Sequence, residues 1–285
     1  MRIAVIGKTG QLARSLAYVA GPEHELLFFG KEALDVTDSD SVRKGLASEN
    51  FEVLINCSAY TAVDAAEDDK AGATALNVDA VKHLLEACRQ KGAFLIHVST
   101  DYVFDGSATQ PYSEEDACNP QSVYGHTKWA GEQLVLSSGL PSLVVRTSWL
   151  YSPFGKNFYK TIRQRLEARA PLQVVNDQQG VPTSALDLAR VLLHLAEKHR
   201  QVTKPELLHV SNTGPSTWYD FAVAIGEAVA PDQPITQVDS SAFKTRAKRP
   251  AYSVLSTEKL EKEFGYAMRP WHEGLAEVLS LPIEG

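Results

Sequence analysis

The chain has little of what holds small secreted or membrane proteins together. Only three of its 285 residues are cysteine, Cys57, Cys88 and Cys118. An odd, widely spaced set excludes a disulfide framework and a paired-thiolate metal site, speaks against a catalytic thiol, and fits a reducing cytoplasm. No apolar run approaches the ~20 residues of a membrane-spanning helix. Arg2 leads at once into a short apolar strand and a glycine turn, without the longer apolar core of a secretory signal. Positive charge is also short: 28 Lys and Arg against 35 Asp and Glu leave a net charge of -7. That balance offers no extended footprint to a nucleic acid or an anionic membrane, and the cluster Lys244, Arg246, Lys248 and Arg249 is at most a local anion site. Repeats and low-complexity tracts are absent.

What remains is an ordinary globular composition, 44% hydrophobic and 22% charged. A short β-branched run at 3–6 and further strand candidates at 25–29, 53–57, 94–99 and 143–146 alternate with helical patterns at 11–19, 39–47, 79–91 and 124–137. Strands separated by crossover-length helices predict an α/β fold, a doubly wound parallel sheet of the Rossmann type over residues 1–150. After Trp149 the alternation loosens into a helix at 158–168, a strand at 172–175, a helix at 185–198, a strand at 207–210, a helix capped by Ser216 or Thr217, and short helices at 257–264 and 273–279. We expect 151–285 to form mainly a smaller C-terminal α/β substrate lobe, with segments near 172–199 candidates to return to the main sheet.

The stretch Gly7-Lys8-Thr9-Gly10-Gln11-Leu12-Ala13 lies where the first strand becomes the first helix. Glycines there let the backbone approach a pyrophosphate, while free N–H groups and the positive end of the helix dipole attract it. Ala13 in place of a third glycine suits a position that serves helix-to-strand packing. A plain turn is the competing reading. An acidic residue closing the second strand would pair with the ribose of NAD, but Phe29 is followed by Gly30 and Lys31. Lys31, aided by Lys8, is placed to neutralise a 2′-phosphate, so NADPH is the expected cofactor and NADH the second choice; a solvated turn lysine is the plain alternative.

Tyr124 and Lys128 stand four residues apart in Tyr-Gly-His-Thr-Lys, on one face of a predicted helix. Ser99 and Thr100 end the strand before it, at the carboxyl edge where open α/β sheets bind ligands. A phenol beside an ammonium at that edge passes a proton to or from a substrate oxygen. Lys128 is expected to favour the phenolate and to bond the nicotinamide ribose, and Thr100 to donate a second hydrogen bond to the carbonyl. A surface pair on an amphipathic helix is the bland alternative. Trp149, just past a strand end, can pack on a sugar face or belong to the core. Asn157 and Arg249 are candidates to reach the sugar or its diphosphate.

Together with these motifs, the segments from Asn56 to Asp64 (NCSAYTAVD), Ser99 to Gly106 (STDYVFDG), Arg146 to Tyr151 (RTSWLY) and Asn176 to Thr183 (NDQQGVPT), and Arg249-Pro250 with Ser253 and Leu255, resemble the extended short-chain dehydrogenases/reductases. Within them the likeness is to the branch that reduces dTDP-4-dehydro-L-rhamnose at C4, and it covers nearly the whole chain. The resemblance implies a dTDP-sugar substrate and the catalytic group Thr100, Tyr124 and Lys128. It also implies a dinucleotide lined by Gly10, Gln11, Leu12, Asp35, Val36, Ala59, Tyr60 and Thr61, and a sugar held by Val63, Asp101, Phe104 and Trp149. Some members bridge a homodimer with magnesium through a carboxylate in the first helix; Ser15 stands there here, which speaks against the metal and the dimer made through it. A sugar-nucleotide dehydratase commonly reads Thr-Asp-Glu where this chain has Tyr102 after Asp101, and so lacks its second carboxylate. An epimerase, which would retain its nucleotide through turnover, competes with the reductase reading. So does a non-catalytic subunit resembling the one that regulates methionine adenosyltransferase.

Overall fold

The computed structural model describes residues 1–282. Its main sheet is built from β1 (Arg2–Ile6), β2 (Glu25–Phe29), β3 (Val53–Asn56), β4 (Phe94–Thr100), β5 (Ser142–Thr147) and β7 (Pro205–His209). The strands are all parallel, in the order β7-β5-β4-β3-β1-β2. The direction of winding reverses beside β1, and this opens a crevice at the carboxyl ends of β1 and β3.

Alternation along each strand divides the core between two faces. Ile3, Val5, Ile55, Ile96 and Val145 point to the side covered by α1 (Gln11–Val19) and α6 (Ala185–Glu197). Ala4, Ile6, Leu54, Leu95 and Val144 point to the opposite side, under α2 (Ser39–Ala47), α3 (Ala80–Lys91) and α4 (Val123–Leu136). The doubly wound sheet expected from the alternation is therefore present.

Beyond residue 150 the chain divides. The segment β7 and helix α6 belong to the main sheet, whereas β6 (Leu172–Val175) pairs in parallel with β8 (Ile235–Val238) in a separate ribbon. That ribbon, α5 (Phe158–Glu167) and α7 (Trp218–Val229) enclose a third apolar cluster around Tyr159, Leu166, Leu172, Phe221 and Ile225. Thr217, rather than Ser216, caps α7, through a reciprocal capping box with Asp220. Among the described residues no helix is long and apolar enough to cross a membrane.

One buried ion pair fixes α4 on the sheet. Arg146 of β5 and Glu132 of α4 are 2% and 0% exposed, and two guanidinium nitrogens reach the carboxylate at 2.7 and 2.9 Å. The Phe104 ring lies against the same guanidinium, 5.1 Å away, and the Cys118 thiol accepts from it at 3.0 Å. Removing the carboxylate strands a cation in the core. Glu132→Ala should therefore cost about 3–5 kcal/mol of stability, read from urea unfolding of the two proteins; a loss within experimental error would show the pair to be energetically idle.

Candidate active site

The carboxyl ends of β1, β3, β4 and β5 open into a cleft of about 510 Å³. On one side stands the glycine turn. Gly7 has φ 96°, and a Cβ there would lie 3.1 Å from the Ser58 nitrogen, so the position admits little but glycine. The N–H groups of Gly7 and Lys8 both donate to the Phe29 carbonyl, and that of Gly10 to the Gly7 carbonyl. The amides of Gly7, Lys8 and Gly10 are thus engaged. The open donors are the first-turn amides of α1, which Gly10 caps without any side-chain bond. A bare helix N-terminus walled by Thr9, Gly10, Gln11 and Leu12 fits a dinucleotide's pyrophosphate.

On the other side stands α4. Ser122 caps it by accepting the Gly125 N–H at 3.1 Å, and Glu67 accepts the Val123 N–H at 2.8 Å. Tyr124 thereby meets Thr100 and Asp101 in the cleft wall, with Lys128 one turn deeper. Lys128 is 2% exposed and donates to the Val98 carbonyl at 2.7 Å. Thr100 donates to Asp101 at 3.0 Å and accepts the Tyr102 N–H at 3.2 Å.

The electrostatics differ from expectation. Burial pushes the Tyr124 phenol up to about 12, against the pull of the Thr100 hydroxyl, and the Asp101 charge adds to the rise. Lys128 does not bring the phenol toward neutrality. Its own ammonium is lowered to about 8 by burial, resisted by Glu132 and Cys57. Burial also raises Asp101 to about 6, although the Ser253 and Thr100 hydroxyls favour its charged form. One cause, loss of water, moves all three groups toward their neutral forms.

Of the residues expected at the site, Thr9, Gly10, Gln11, Leu12, Ala59, Thr61, Val63, Ser99, Thr100, Asp101, Tyr124, Lys128 and Trp149 share this cleft. Lys31, Asp35 and Val36 stand outside it, after the end of β2. The Lys31 side chain is 87% exposed, Asp35 accepts from the Thr37 amide and hydroxyl, and Val36 is packed into the core. The Tyr60 backbone N–H is bound by the Asn77 amide oxygen. Two expectations require correction. Phe104 is fully buried and stacked on Tyr112, with centroids 4.0 Å apart, so its ring has no surface for a sugar. The Asn157 amide is committed to capping α5 and to Gln11, Ser152 and Phe154; it ties the lobes together rather than reaching outward. Ser15 is also fully buried, its hydroxyl donated to the Gln11 carbonyl, so it has nothing to offer a divalent ion.

Sequence reasoning missed a second chamber. A groove of about 530 Å³ adjoins the cleft and shares Tyr102 and Trp218 with it. Phe158, Leu172, Val174 and Phe243 make it apolar, and Arg165 and Arg249 give it positive charge; Arg249 also pairs with Asp64 at 2.8 Å. Its walls span residues 102 to 249, so no local pattern announces it.

Residues 1–281 match the family described as RmlD substrate binding domain. The chain is 39% identical to dTDP-4-dehydrorhamnose reductase of Aggregatibacter actinomycetemcomitans, over 97% of this chain and 98% of the relative. It is 38% identical to a probable dTDP-4,6-dihydroxy-2-methyloxan-3-one 4-ketoreductase of Streptomyces antibioticus, covering 97% and 94%. The crystal structure of dTDP-4-dehydrorhamnose reductase from Bacillus anthracis in complex with NADP is similar at a TM-score of 0.92 and 34% identity, covering 97% and 98%. With its parallel sheet and the match running almost end to end, the chain belongs to the RmlD substrate binding domain family.

Proposed function

We propose that the protein is an NADPH-dependent ketoreductase that converts dTDP-4-dehydro-L-rhamnose to dTDP-L-rhamnose, in the cytoplasm, for surface polysaccharide. The observation that carries this reading is a phenol kept protonated beside Thr100, sharing one cleft with Lys128 and the open N-terminus of α1. The full-length relatives, two of them named as reductases of this sugar nucleotide, support it.

Bound NADPH would supply the hydride to the C4 carbonyl carbon. The first-turn amides of α1 would hold its pyrophosphate, and Lys31 would face a 2′-phosphate. Tyr124 gives its proton to the carbonyl oxygen as negative charge develops there. A phenol held up near 12 is stored in the donating form, and an alkoxide is basic enough to take its proton. Lys128, anchored on the Val98 carbonyl, keeps further N–H groups for a ribose and stabilises the phenolate left behind. Thr100 orients Asp101 and the phenol. Trp149 and Val63 bound the hexose, and the neighbouring groove takes the nucleotide: a pyrimidine among Phe158, Leu172 and Val174, with Arg165 and Arg249 toward the diphosphate. In this division of labour the large sheet carries the cofactor, and the lobe built on β6, α5 and α7 carries the sugar nucleotide. Ser15 gives no reason to include a magnesium-bridged homodimer.

The Streptomyces relative, named for a ketone on a differently substituted dTDP sugar, supports a second reading in which the chemistry is the same and one hydroxyl of the hexose differs. Purified protein added to enzymatically made dTDP-4-dehydrorhamnose should consume reduced nicotinamide, with dTDP-L-rhamnose identified by NMR. No turnover on this sugar, with turnover on the other, would select the second reading.

Replacing Tyr124 with Phe should lower kcat about 10²- to 10⁴-fold and leave NADPH affinity, measured by fluorescence titration, unchanged; full activity would overturn the assignment. The Lys128 ammonium is present below about 8 and lost above it, so kcat/KM in the free enzyme should hold at neutral pH and fall as pH climbs through that value. A profile flat to about pH 10 would remove Lys128 from the mechanism. NADPH should exceed NADH in kcat/KM, and Lys31→Ala should narrow the gap; a strong NADH preference would refute the choice of cofactor.

A further inference from the structure

Trp218 belongs to neither the motifs nor the reacting group, yet it is the aromatic residue, with Tyr102, that both chambers share. Its ring lies parallel to that of Trp149, with centroids 3.7 Å apart and planes 7° apart. Phe158 supports it from another side at 4.5 Å. Its backbone is set by the capping box, in which Thr217 accepts the Asp220 N–H at 3.0 Å and the Asp220 carboxylate accepts the Thr217 hydroxyl at 2.7 Å.

Trp149 is held in a conformation it would not choose. Its φ is 45°, a left-handed backbone uncommon for a bulky residue. Gly180 presses against the same indole so closely that a Cβ there would lie 2.5 Å from Cε2. The segments carrying the two supports are themselves joined: Ser216 and Thr217 pair antiparallel with Gly180 and Gln179. A single two-stranded unit therefore places both Gly180 and Trp218 against Trp149.

We propose that Trp218 is a positioning and specificity-determining residue for the hexose, acting through Trp149 and as the partition between hexose cleft and nucleotide groove. This rests on the reading of the site as a dTDP-sugar site. Stacked on Trp149, it presents a broad apolar wall, which suits the methyl-bearing face of a 6-deoxyhexose and holds the sugar's reacting carbon toward Tyr124. When the Trp218 ring is removed the nucleotide half still has the other groove walls, Leu172, Val174, Arg165 and Arg249, so its loss of affinity is the smaller one.

The test separates the hexose from the nucleotide. Calorimetry with dTDP-L-rhamnose and with dTDP alone is run on the wild type, Trp218→Ala, Trp218→Phe, Trp149→Ala and the double alanine variant. Trp218→Ala should lose about tenfold in affinity for dTDP-L-rhamnose while its affinity for dTDP changes less than about threefold. Trp218→Phe should recover most of the loss, and the double variant should bind as Trp149→Ala does, because the two rings act as one unit. In steady state the KM for the keto-sugar should rise, with the KM for NADPH unmoved. Equal losses for both ligands, no loss, or additive losses would overturn the proposal. The wild type offers a second measurement that no misfolding can spoil. The exciton signal of the stacked indoles in circular dichroism should change with dTDP-L-rhamnose and not with dTDP; the same change with both would also overturn it. A wild type that binds dTDP-L-rhamnose without reducing the keto-sugar sinks the proposed activity alone and leaves the Trp218 comparison readable. A wild type that binds neither ligand sinks both.

Discussion

The chemistry proposed for this protein depends on how one helix is fastened to one strand. Arg146 and Glu132 meet in the core, where neither charge is solvated, and their bidentate geometry offsets part of the desolvation each suffers. Lys128, one turn before Glu132, adds a second fastening through the Val98 carbonyl at 2.7 Å. With both in place α4 has no freedom to rotate about its axis, and Tyr124 faces Thr100 at the end of β4. A helix turned by one residue would carry the phenol out of the cleft, since neighbouring side chains on a helix point about 100° apart.

The same dry wall sets the protonation of the proposed reacting groups. Taking Tyr124, Lys128 and Asp101 from water favours the neutral form of each, and it outweighs the Thr100 hydrogen bond to the phenol and the Glu132 charge beside the ammonium. For ketone reduction this is a useful arrangement: an acid is needed before the hydride moves, and a phenolate only afterwards. Glu132 then has two tasks, since it neutralises Arg146 and opposes the loss of charge on Lys128.

Polar stitching joins the lobes alongside apolar contact, in which Leu186 of α6 and Val19 of α1 pack into the cluster around Tyr159 and Phe221. Gln11, at the start of α1, bonds the Leu150 carbonyl, the Ser152 hydroxyl and the Asn157 amide, so the candidate phosphate turn and the loop that leads into α5 are tied by one side chain. Asp64 does the same at the other rim, accepting the N–H groups of Arg246 and Ala247 and pairing with Arg249. Both ties lie at the mouth of the cleft, and each joins a motif residue of the first half to a loop of the second.

The sequence by itself determined the alternation of strands and helices, the glycine turn, and the spacing of Tyr124 and Lys128, because each is a property of a few consecutive residues: period 2, period 3.6, or a left-handed turn that excludes a Cβ. It also marked Trp149 and Thr100 by their place after strand ends. Only the tertiary structure decided that the strand near 207 joins the main sheet, that Phe104 is a core ring, that Asn157 is a cap with its amide fully engaged, and that Trp218 stacks on Trp149. It alone showed that burial, not the neighbouring lysine, governs the Tyr124 phenol. Those outcomes turn on which distant segments exclude water from a given atom, and no local pattern of residues carries that information.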